Sequence, residues 1–417
     1  MSRFRYVKIW LILFVLFELL MIAAYSIPDK WVRNNVVTSA DTIKKQGLYP
    51  VLVAGDNRTQ KDNWTEAYIL NMCIHAHSDS NFITNAIINP YYDTGNDRIY
   101  DLIDGIDKQA NTSYGRYWQG QLTIIRPLLL LFNLEQIYIV FEVVFVLALL
   151  FCLYRIYRTT SIYYSLTLLL SFIMIKPHII CFSTKLYFSF LISLIFTIVI
   201  TYQKDDSFNT DRIRKMFFIA AAITVYTDFF STPPVTLGLP LTTLIIKERH
   251  TINKYDYKEL FTSFIRIVLA WIAGYVVFGI SNWIIYILLS NNHQLALEGI
   301  ISRFLMWIGL REYAGEQYDT LIGIRKIFLV FAQSRLLAYT YLFVYIISFI
   351  TIFLLSYKNN RHNLLLLGIG VLPYFWWLIA STSVFAHAWH VFRTMIIIIY
   401  TILCAVVSLI KDRDITL

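Results

Sequence analysis

The sharpest chemical pattern in the sequence is Asp62-Asn63-Trp64-Thr65-Glu66, which has two acidic residues four positions apart. Residues with this spacing share one face of a helix. The two carboxylates can therefore meet at one site, either as a general base with a helper or as ligands of a divalent cation. The alternative is a helix start, with Asp62 as the N-cap and Glu66 in the first turn. The pattern alone leaves both interpretations open.

A second pattern combines aromatic residues with an arginine in Tyr114-Gly115-Arg116-Tyr117-Trp118. Aromatic faces suit sugar rings, and the guanidinium fork of Arg116 suits a phosphate. The alternative is an aromatic belt at a membrane interface with a snorkelling arginine. We therefore regard Arg116, Tyr117 and Trp118 as candidate ligands for a sugar or for its acceptor.

Cations and imidazoles form a third group of candidates. Arg126 precedes one apolar run, Lys185 begins another, and His387, His390 and Arg393 belong to one short block. A leaving phosphate needs positive charge as its bond breaks, which such side chains supply. The two histidines three positions apart lack an HExxH-type spacing, so the block gives little support for zinc.

Asp228 stands in a short turn between two apolar runs, followed by Pro233 and Pro234. Its simplest role is that of a turn or N-cap residue at the start of the next helix, which has the two prolines in its first turn. Its position at a membrane boundary leaves a second role open, as an anchor for the preceding segment or as a ligand of the acceptor.

These candidates belong to a chain with the composition of a membrane protein. Of its 417 residues, 57% are hydrophobic and 15% are charged, and the formal net charge is +9. Soluble domains carry about 25% charged residues and about 12% Gly plus Pro, whereas this chain has only 15 Gly and 9 Pro. A soluble enzyme, a collagen-like fibre and a disordered protein are therefore excluded. The apolar excess predicts a chain that lies in the bilayer. Membrane topology and anionic lipid explain the positive charge, which gives no reason to invoke nucleic acid.

Apolar runs of about 20 residues predict an all-α, polytopic transmembrane helix bundle with about ten spans. Lys and Arg are concentrated in the loops on the side of the N-terminus, which predicts that both termini are cytoplasmic. The predicted regions are a first transmembrane helix at 1–28, an extracytoplasmic catalytic segment with short surface helices at 29–120, a transmembrane bundle at 121–289, an extracytoplasmic amphipathic segment at 290–335, and C-terminal transmembrane helices at 336–417.

Charged residues that a bilayer disfavours are functional candidates by default, and in this predicted topology they collect on the outer side. An enzyme that works at the outer face would place its acids, bases and cations there. A transporter would place them near the midplane. Glu18 and Glu142, which lie within predicted spans, favour that alternative.

Within the segment 290–335, apolar residues recur at helical spacing beside Arg303 and Arg311. The pattern predicts an amphipathic helix. Such a helix either lies in the membrane surface or packs against the ends of the spans, and the sequence favours neither.

Four motifs in this chain resemble those of a group of bacterial multi-pass membrane proteins, most of them uncharacterised. They are the blocks that begin at Asp62, Tyr114, Asp228 and His387. The predicted architecture resembles the GT-C superfamily of integral-membrane glycosyltransferases. This resemblance implies a sugar donor carried on a polyprenyl phosphate and a cell-surface glycan or lipid-linked acceptor. It also implies transfer at the outer face of the bacterial plasma membrane, usually with inversion at the anomeric carbon.

The resemblance further implies roles for individual residues. Asp62 would be the base that deprotonates the acceptor hydroxyl, with Asp41 as the fallback, and Glu66 would assist it or hold a divalent cation such as Mg or Mn. The donor phosphate would contact Arg126, Lys185, His387 and Arg393. The sugar or acceptor would contact Arg116, Tyr117, Trp118 and Asp228. The rival functions are a flippase or transporter of lipid-linked oligosaccharide and an outer-face glycan polymerase or ligase.

Overall fold

The computed structural model describes residues 2–76, 81–228, 230–290, 292–310, 319–358 and 360–414, and most of them are helical. Among these residues, the one sheet pairs β1 (Pro90–Tyr91) antiparallel with β2 (Thr112–Ser113). The predicted all-α class is therefore confirmed. The α-helices are α1 (Ser2–Tyr25), α2 (Asp29–Gln46), α3 (Asn63–Cys73), α4 (Phe82–Ile88), α5 (Arg98–Gly105), α6 (Leu122–Leu128), α7 (Leu134–Thr159), α8 (Ile162–Met174), α9 (His178–Cys181), α10 (Thr184–Thr201), α11 (Asp211–Thr227), α12 (Val235–Lys247), α13 (Arg249–Ile252), α14 (Tyr257–Leu289), α15 (His293–Trp307), α16 (Thr320–Ala332), α17 (Arg335–Ser356), α18 (Arg361–Ile379), α19 (Ser381–Ala386), α20 (Ala388–Val391) and α21 (Met395–Asp414). Two short 3-10 helices lie at Asn57–Thr59 and Phe392–Thr394.

Within the described part of the chain, 7 helical stretches are long and apolar enough to cross a membrane. They are Phe4–Tyr25, Leu134–Thr159, Thr184–Thr201, Tyr257–Leu289, Arg335–Ser356, Arg361–Ile379 and Ala388–Ile410. The protein is therefore a multi-pass membrane protein. The remaining predicted spans coincide with α8, α11 and α12, which have 13, 17 and 13 residues.

Several helices begin where a polar side chain forms hydrogen bonds with the free backbone groups of the first turn. At the start of α7, Asn133 Oδ1 accepts a hydrogen bond from Gln136 N at 3.1 Å, and Gln136 Oε1 accepts one from Asn133 N at 3.0 Å. This reciprocal capping box satisfies two donors that the helix leaves free. At the start of α14, Asp256 accepts from Glu259 N at 2.7 Å. These caps fix where the long apolar helices begin.

The helices differ in how deeply they lie in the bundle. In α10, 72% of the most apolar 18-residue stretch is buried, whereas in α17 the corresponding fraction is 11%. α10 packs against α7, α11 and α12, and α17 exposes large apolar side chains such as Phe343 and Ile350. An apolar surface of this kind suits lipid. Because α10 is central, its first turn is buried under the segment 29–120.

The segment 29–120 packs onto the bundle as part of one continuous apolar core, which includes Val32 of α2 and Tyr68 of α3. Arg126 of α6 connects it to α1. The Arg126 Nε donates to Ala24 O at 2.9 Å, and its other nitrogens donate to the carbonyls of Ile27 and Cys73. The carbonyls at the ends of α1 and α3 are thus bound to one buried guanidinium.

The amphipathic helix predicted in the segment 290–335 is α15. Its Ile300 and Trp307 are buried and it packs against α14 and α19, whereas Leu297 and Phe304 are exposed. One face therefore packs against neighbouring helices and the other is free to contact lipid. Arg311, which the sequence places beside this helix, lies outside the described residues.

Candidate functional site

A polar cavity of about 240 Å³ lies where α3, α15 and α19 meet the first turn of α10. We call it the cationic cavity, because its walls include Arg98, Arg116, Lys185, Arg303 and His387. No Asp or Glu of the described residues lines it. Its chemistry therefore suits an anion.

Several parts of the chain that are distant in sequence build this cavity. α3 contributes Thr65, the second residue of α10 is Lys185, and α15 contributes Arg303 near its C-terminal end. Arg116 comes from the loop between β2 and α6, and His387 lies between α19 and α20. The predicted residues Arg116, Lys185 and His387 are thus brought together in one cavity, although they come from three separate parts of the sequence.

The charge of Arg98 is balanced within the protein. Its Nη1 lies 2.7 Å from Asp101 Oδ2 and 2.9 Å from Asp93 Oδ2. The guanidinium carbon also lies 5.2 Å from the centroid of the Tyr68 ring. Arg98 therefore contributes shape to the cavity wall and little net charge.

Arg116 and Arg303 differ from Arg98 because neither forms an ion pair with a carboxylate in the described ranges. The guanidinium carbon of Arg116 rests 3.9 Å from the centroid of the Tyr114 ring, and the Arg116 Nε is buried without a hydrogen-bond partner. Among the described residues, the hydrogen-bond partner of Arg303 is Met306, whose Sδ lies 3.7 Å from Arg303 Nη1. Within the described part of the chain, two positive charges at this cavity therefore lack a carboxylate partner.

Asp62 is the N-cap of α3, so the helix-start interpretation describes its position. Its Oδ1 accepts from Thr65 N at 3.1 Å and its Oδ2 from Thr65 Oγ1 at 2.7 Å. Lys185 Nζ lies 3.6 Å and His390 Nδ1 3.8 Å from Asp62 Oδ2. The side chain is 1% exposed and does not line the cavity, although its partners Thr65 and Lys185 do.

Glu66 is fully buried and binds α10 rather than the cavity. Its Oε1 accepts from Thr184 N at 2.8 Å, and both carboxylate oxygens lie 3.0 Å from Thr184 Oγ1. Burial raises the pKa of Glu66 to about 8. Asp62 and Glu66 therefore have separate partners. No group of three or more His, Cys, Asp or Glu in the described residues is arranged to hold a metal ion.

A second cavity of about 530 Å³ adjoins the first, and we call it the apolar cavity. Apolar and aromatic side chains of α11, α12, α14, α15 and α18 form most of its wall. Asp228 is the one carboxylate that the described residues contribute. Its Oδ1 accepts from Ser189 Oγ at 2.9 Å and its Oδ2 from Ser231 N at 3.0 Å, so it is an anchored turn residue at the cavity edge.

The two cavities meet at Arg116, Tyr117 and Trp307, which line both. The Tyr117 and Trp307 ring centroids lie 5.6 Å apart, and Trp307 stacks on Phe230 at 4.1 Å with an interplanar angle of 9°. An aromatic boundary therefore separates a positively charged space from an apolar one. A single amphiphilic ligand can occupy both.

The apolar cavity also reaches the surface of the bundle. Ile272, Val276 and Phe375 line its wall and are exposed. They belong to α14 and α18, which are both long enough to span a membrane. A lipid chain can therefore enter this cavity from the side.

Arg126 and Arg393, both predicted to contact a phosphate, are fully buried away from the two cavities. Arg393 Nη1 donates to Trp389 O at 2.9 Å and Nη2 to Arg58 O at 2.6 Å. Like Arg126, it holds backbone carbonyls together. Their phosphate role stays a prediction that this geometry does not favour.

Asp41 and Trp118 are also separate from the cationic cavity. Asp41 lies on an exposed face of α2. Trp118 is buried against the rings of Phe14 and Phe17, and its Nε1 donates to Phe278 O at 2.9 Å. Trp118 borders the apolar cavity only.

Arg303 and Trp307 are site residues that the sequence patterns did not indicate as ligands. They lie four positions apart in α15, so they share one face of the helix. The spacing of this cation and this large aromatic residue is the sequence signal that could have indicated a ligand site. The same spacing is also typical of an amphipathic helix at a membrane surface.

No protein-family model matches the chain, and neither curated proteins nor solved structures include a significant match to it. The fold and the candidate site together define a multi-pass α-helical membrane protein with two adjoining cavities, one cationic and one apolar.

Proposed function

We propose that this protein is a membrane glycosyltransferase that moves a sugar from a polyprenyl-phosphate donor to a cell-surface glycan or a lipid-linked acceptor. In this proposal the chain spans the bacterial plasma membrane about ten times. Both termini are cytoplasmic, and the cationic cavity opens on the extracytoplasmic side. The distribution of Lys and Arg among the loops supports this orientation.

The observation that carries the proposal is the junction of a cationic cavity with an apolar cavity that reaches the lipid-facing surface. A polyprenyl phosphate has one anionic group at the end of a long apolar chain, and the two cavities match these parts. The apolar cavity is within the range of about 300–1,000 Å³ that ligand sites usually have. A freely soluble nucleotide-sugar donor would leave it unused.

Each part of the site has a role in this proposal. Arg116, Arg303 and Lys185 bind the phosphate and stabilise the negative charge that grows as the bond to the sugar breaks. Tyr117 and Trp307, at the junction, offer aromatic faces to the sugar ring. The prenyl chain follows the apolar cavity toward Val276 and the bilayer.

The transporter alternative depended on Glu18 and Glu142. Neither residue lines the cationic or the apolar cavity. Asp62 has a supporting role in the proposal, because it lies 3.6 Å from Lys185 Nζ and holds that cation at the cavity.

The test is an assay of purified full-length protein in lipid nanodiscs with a panel of polyprenyl-phosphate hexoses and a polyprenyl-diphosphate-linked oligosaccharide acceptor. We expect at least one donor to release polyprenyl phosphate as its sugar is transferred. In liposomes, movement of a lipid-linked glycan across the bilayer with no bond broken would contradict the proposal and favour a flippase.

A further inference from the structure

The transfer proposed above requires a group that accepts the proton of the attacking hydroxyl. Such a group must reach the cationic cavity and be unprotonated at neutral pH. The described residues of the cavity wall include basic, hydroxyl and aromatic side chains and no carboxylate. Burial raises the pKa of Tyr68 and Tyr117, so these phenols are protonated at neutral pH. In Tyr114 the effect of burial is outweighed by the charges of Arg116 and Arg303, which lower its pKa, and its ring is covered by the Arg116 guanidinium at 3.9 Å.

The acidic residues behind the wall are poorly placed for this task. Asp62 accepts two hydrogen bonds from Thr65 and is 1% exposed. Glu66 is 0% exposed and bonded to Thr184. Either carboxylate would have to leave its partners to meet a hydroxyl in the cavity.

Among the described wall residues, His387 contributes the one imidazole, a base whose ordinary pKa lies close to neutral pH. Its backbone is fixed between two short helices, because its N donates to Ser383 O at 2.9 Å and its O accepts from His390 N at 2.8 Å. The imidazole forms no hydrogen bond within the described ranges, and its Nδ1 is buried without a partner. Within the described part of the chain, no partner therefore competes with a substrate for the His387 ring.

Burial and the nearby positive charges keep the His387 ring neutral. Burial lowers the pKa of His387 to about 3, and the charges of Lys185 and Arg303 act in the same direction, whereas Asp62 opposes them. His390, the other titratable group nearby, is itself buried. A donor phosphate bound beside Lys185 and Arg303 would offset their charge and raise the pKa of His387 toward its ordinary value. The imidazole would then become a stronger base once the donor is bound.

We propose that His387 is the general base of the transfer and that the bound donor phosphate activates it; this inference rests on the function proposed above. The acceptor oxygen uses a lone pair to form a bond to the anomeric carbon. The bond from that carbon to the phosphate oxygen breaks, and its electron pair leaves with polyprenyl phosphate. The hydroxyl proton moves to the imidazole nitrogen that faces the cavity and is later released to water.

The test compares wild type, His387→Ala and the control His178→Ala. His178 is a partly buried histidine of α9 that lines neither cavity. We expect His387→Ala to bind polyprenyl phosphate as wild type does, while its transfer rate falls about 10²–10⁴-fold, the usual contribution of a general base. Added imidazole should restore part of that rate. His178→Ala should transfer at the wild-type rate.

A pH profile separates a base from a structural residue. We expect the wild-type rate to fall on the acidic side as the His387 ring becomes protonated, and we expect this limb to be absent from His387→Ala. Wild-type turnover by His387→Ala would overturn the assignment. A reduced rate that added imidazole does not restore, with a pH profile that keeps its acidic limb, would also overturn it. If wild type releases polyprenyl phosphate from none of the donors, the proposed function itself is wrong.

Discussion

The cationic cavity and the apolar cavity share Arg116, Tyr117 and Trp307, yet their walls differ in charge. In the cationic cavity, Arg116 and Arg303 lack carboxylate partners among the described residues, which is costly unless an anion or water compensates their charge. The apolar cavity contains rings and aliphatic side chains and reaches the surface of the bundle. The contrast across one aromatic boundary is what indicates an amphiphile rather than a soluble ligand.

Among the changes that test this contrast between the cavities, removing a cation from the cationic cavity should have the largest effect. We expect Arg303→Gln to lower the transfer rate about 10²–10³-fold, the usual loss when one group that stabilises developing charge is removed. The measurement is the release of polyprenyl phosphate from the donor that wild type accepts. Arg325→Gln is the matched control, since Arg325 is an exposed residue of α16 that lines neither cavity. Equal rates for the two variants would contradict the phosphate role of Arg303.

Filling the apolar cavity should weaken donor binding rather than the chemical step. Gly279 lines this cavity, and the nearest atom to an added Cβ is Val225 Cγ2 at 3.8 Å, so a side chain fits there. We expect Gly279→Phe to raise the KM for the donor about tenfold, because two prenyl CH₂ groups displaced from the cavity cost ~1.6 kcal/mol.

Val277→Phe is the control for Gly279→Phe, because Val277 is exposed on the same helix and outside the cavity wall. We expect its KM to equal that of wild type. If Gly279→Phe also leaves the KM unchanged, the prenyl chain does not lie in the apolar cavity.

Asp62→Asn should have a smaller effect than His387→Ala. Asparagine remains a good N-cap for α3, and Lys185 stays at the cavity although it loses its charged partner. We expect a transfer rate about fivefold lower, or ~1 kcal/mol, because the asparagine oxygen keeps a partial negative charge beside the buried Lys185. Complete loss of transfer by a folded Asp62→Asn protein would instead assign the base to Asp62.

Chelation should have the smallest effect. Divalent cations prefer carboxylate oxygens, and the described wall of the cationic cavity has none. We expect the transfer rate to stay unchanged after dialysis against EDTA. A rate that falls on chelation and returns with Mg or Mn would show that a cation, held by Glu66 or another acid, takes part.

The helices could be predicted from the sequence more reliably than the roles of the charges. The apolar runs predict the long helices, and the predicted end of the transmembrane bundle at 289 coincides with the end of α14 (Tyr257–Leu289). Hydropathy, however, does not show where a cap such as Asp256 starts a helix. Nor does it show that the positive φ of Lys176 follows the end of α8, or that Pro233 and Pro234 precede α12. The cationic cavity therefore could not be predicted from hydropathy, because residues that are distant in sequence build it.

The arginines show this limit most clearly. Arg126 and Arg393 bind backbone carbonyls, whereas Arg116 and Arg303 line the cationic cavity. In the sequence, no pattern around these four arginines separates the two roles. Only the positions of distant residues, such as the carbonyls of Ala24 and Arg58, distinguish a structural guanidinium from one that is available to a ligand.

Electron cryomicroscopy of the full-length protein in nanodiscs with a polyprenyl phosphate would test the proposed binding mode most directly. We expect the phosphate between Arg116 and Arg303, and the prenyl chain past Trp307 and along Gly279 to the lipid-facing surface. A phosphate beside Arg126 or Arg393, or a chain that lies wholly outside the apolar cavity, would contradict it.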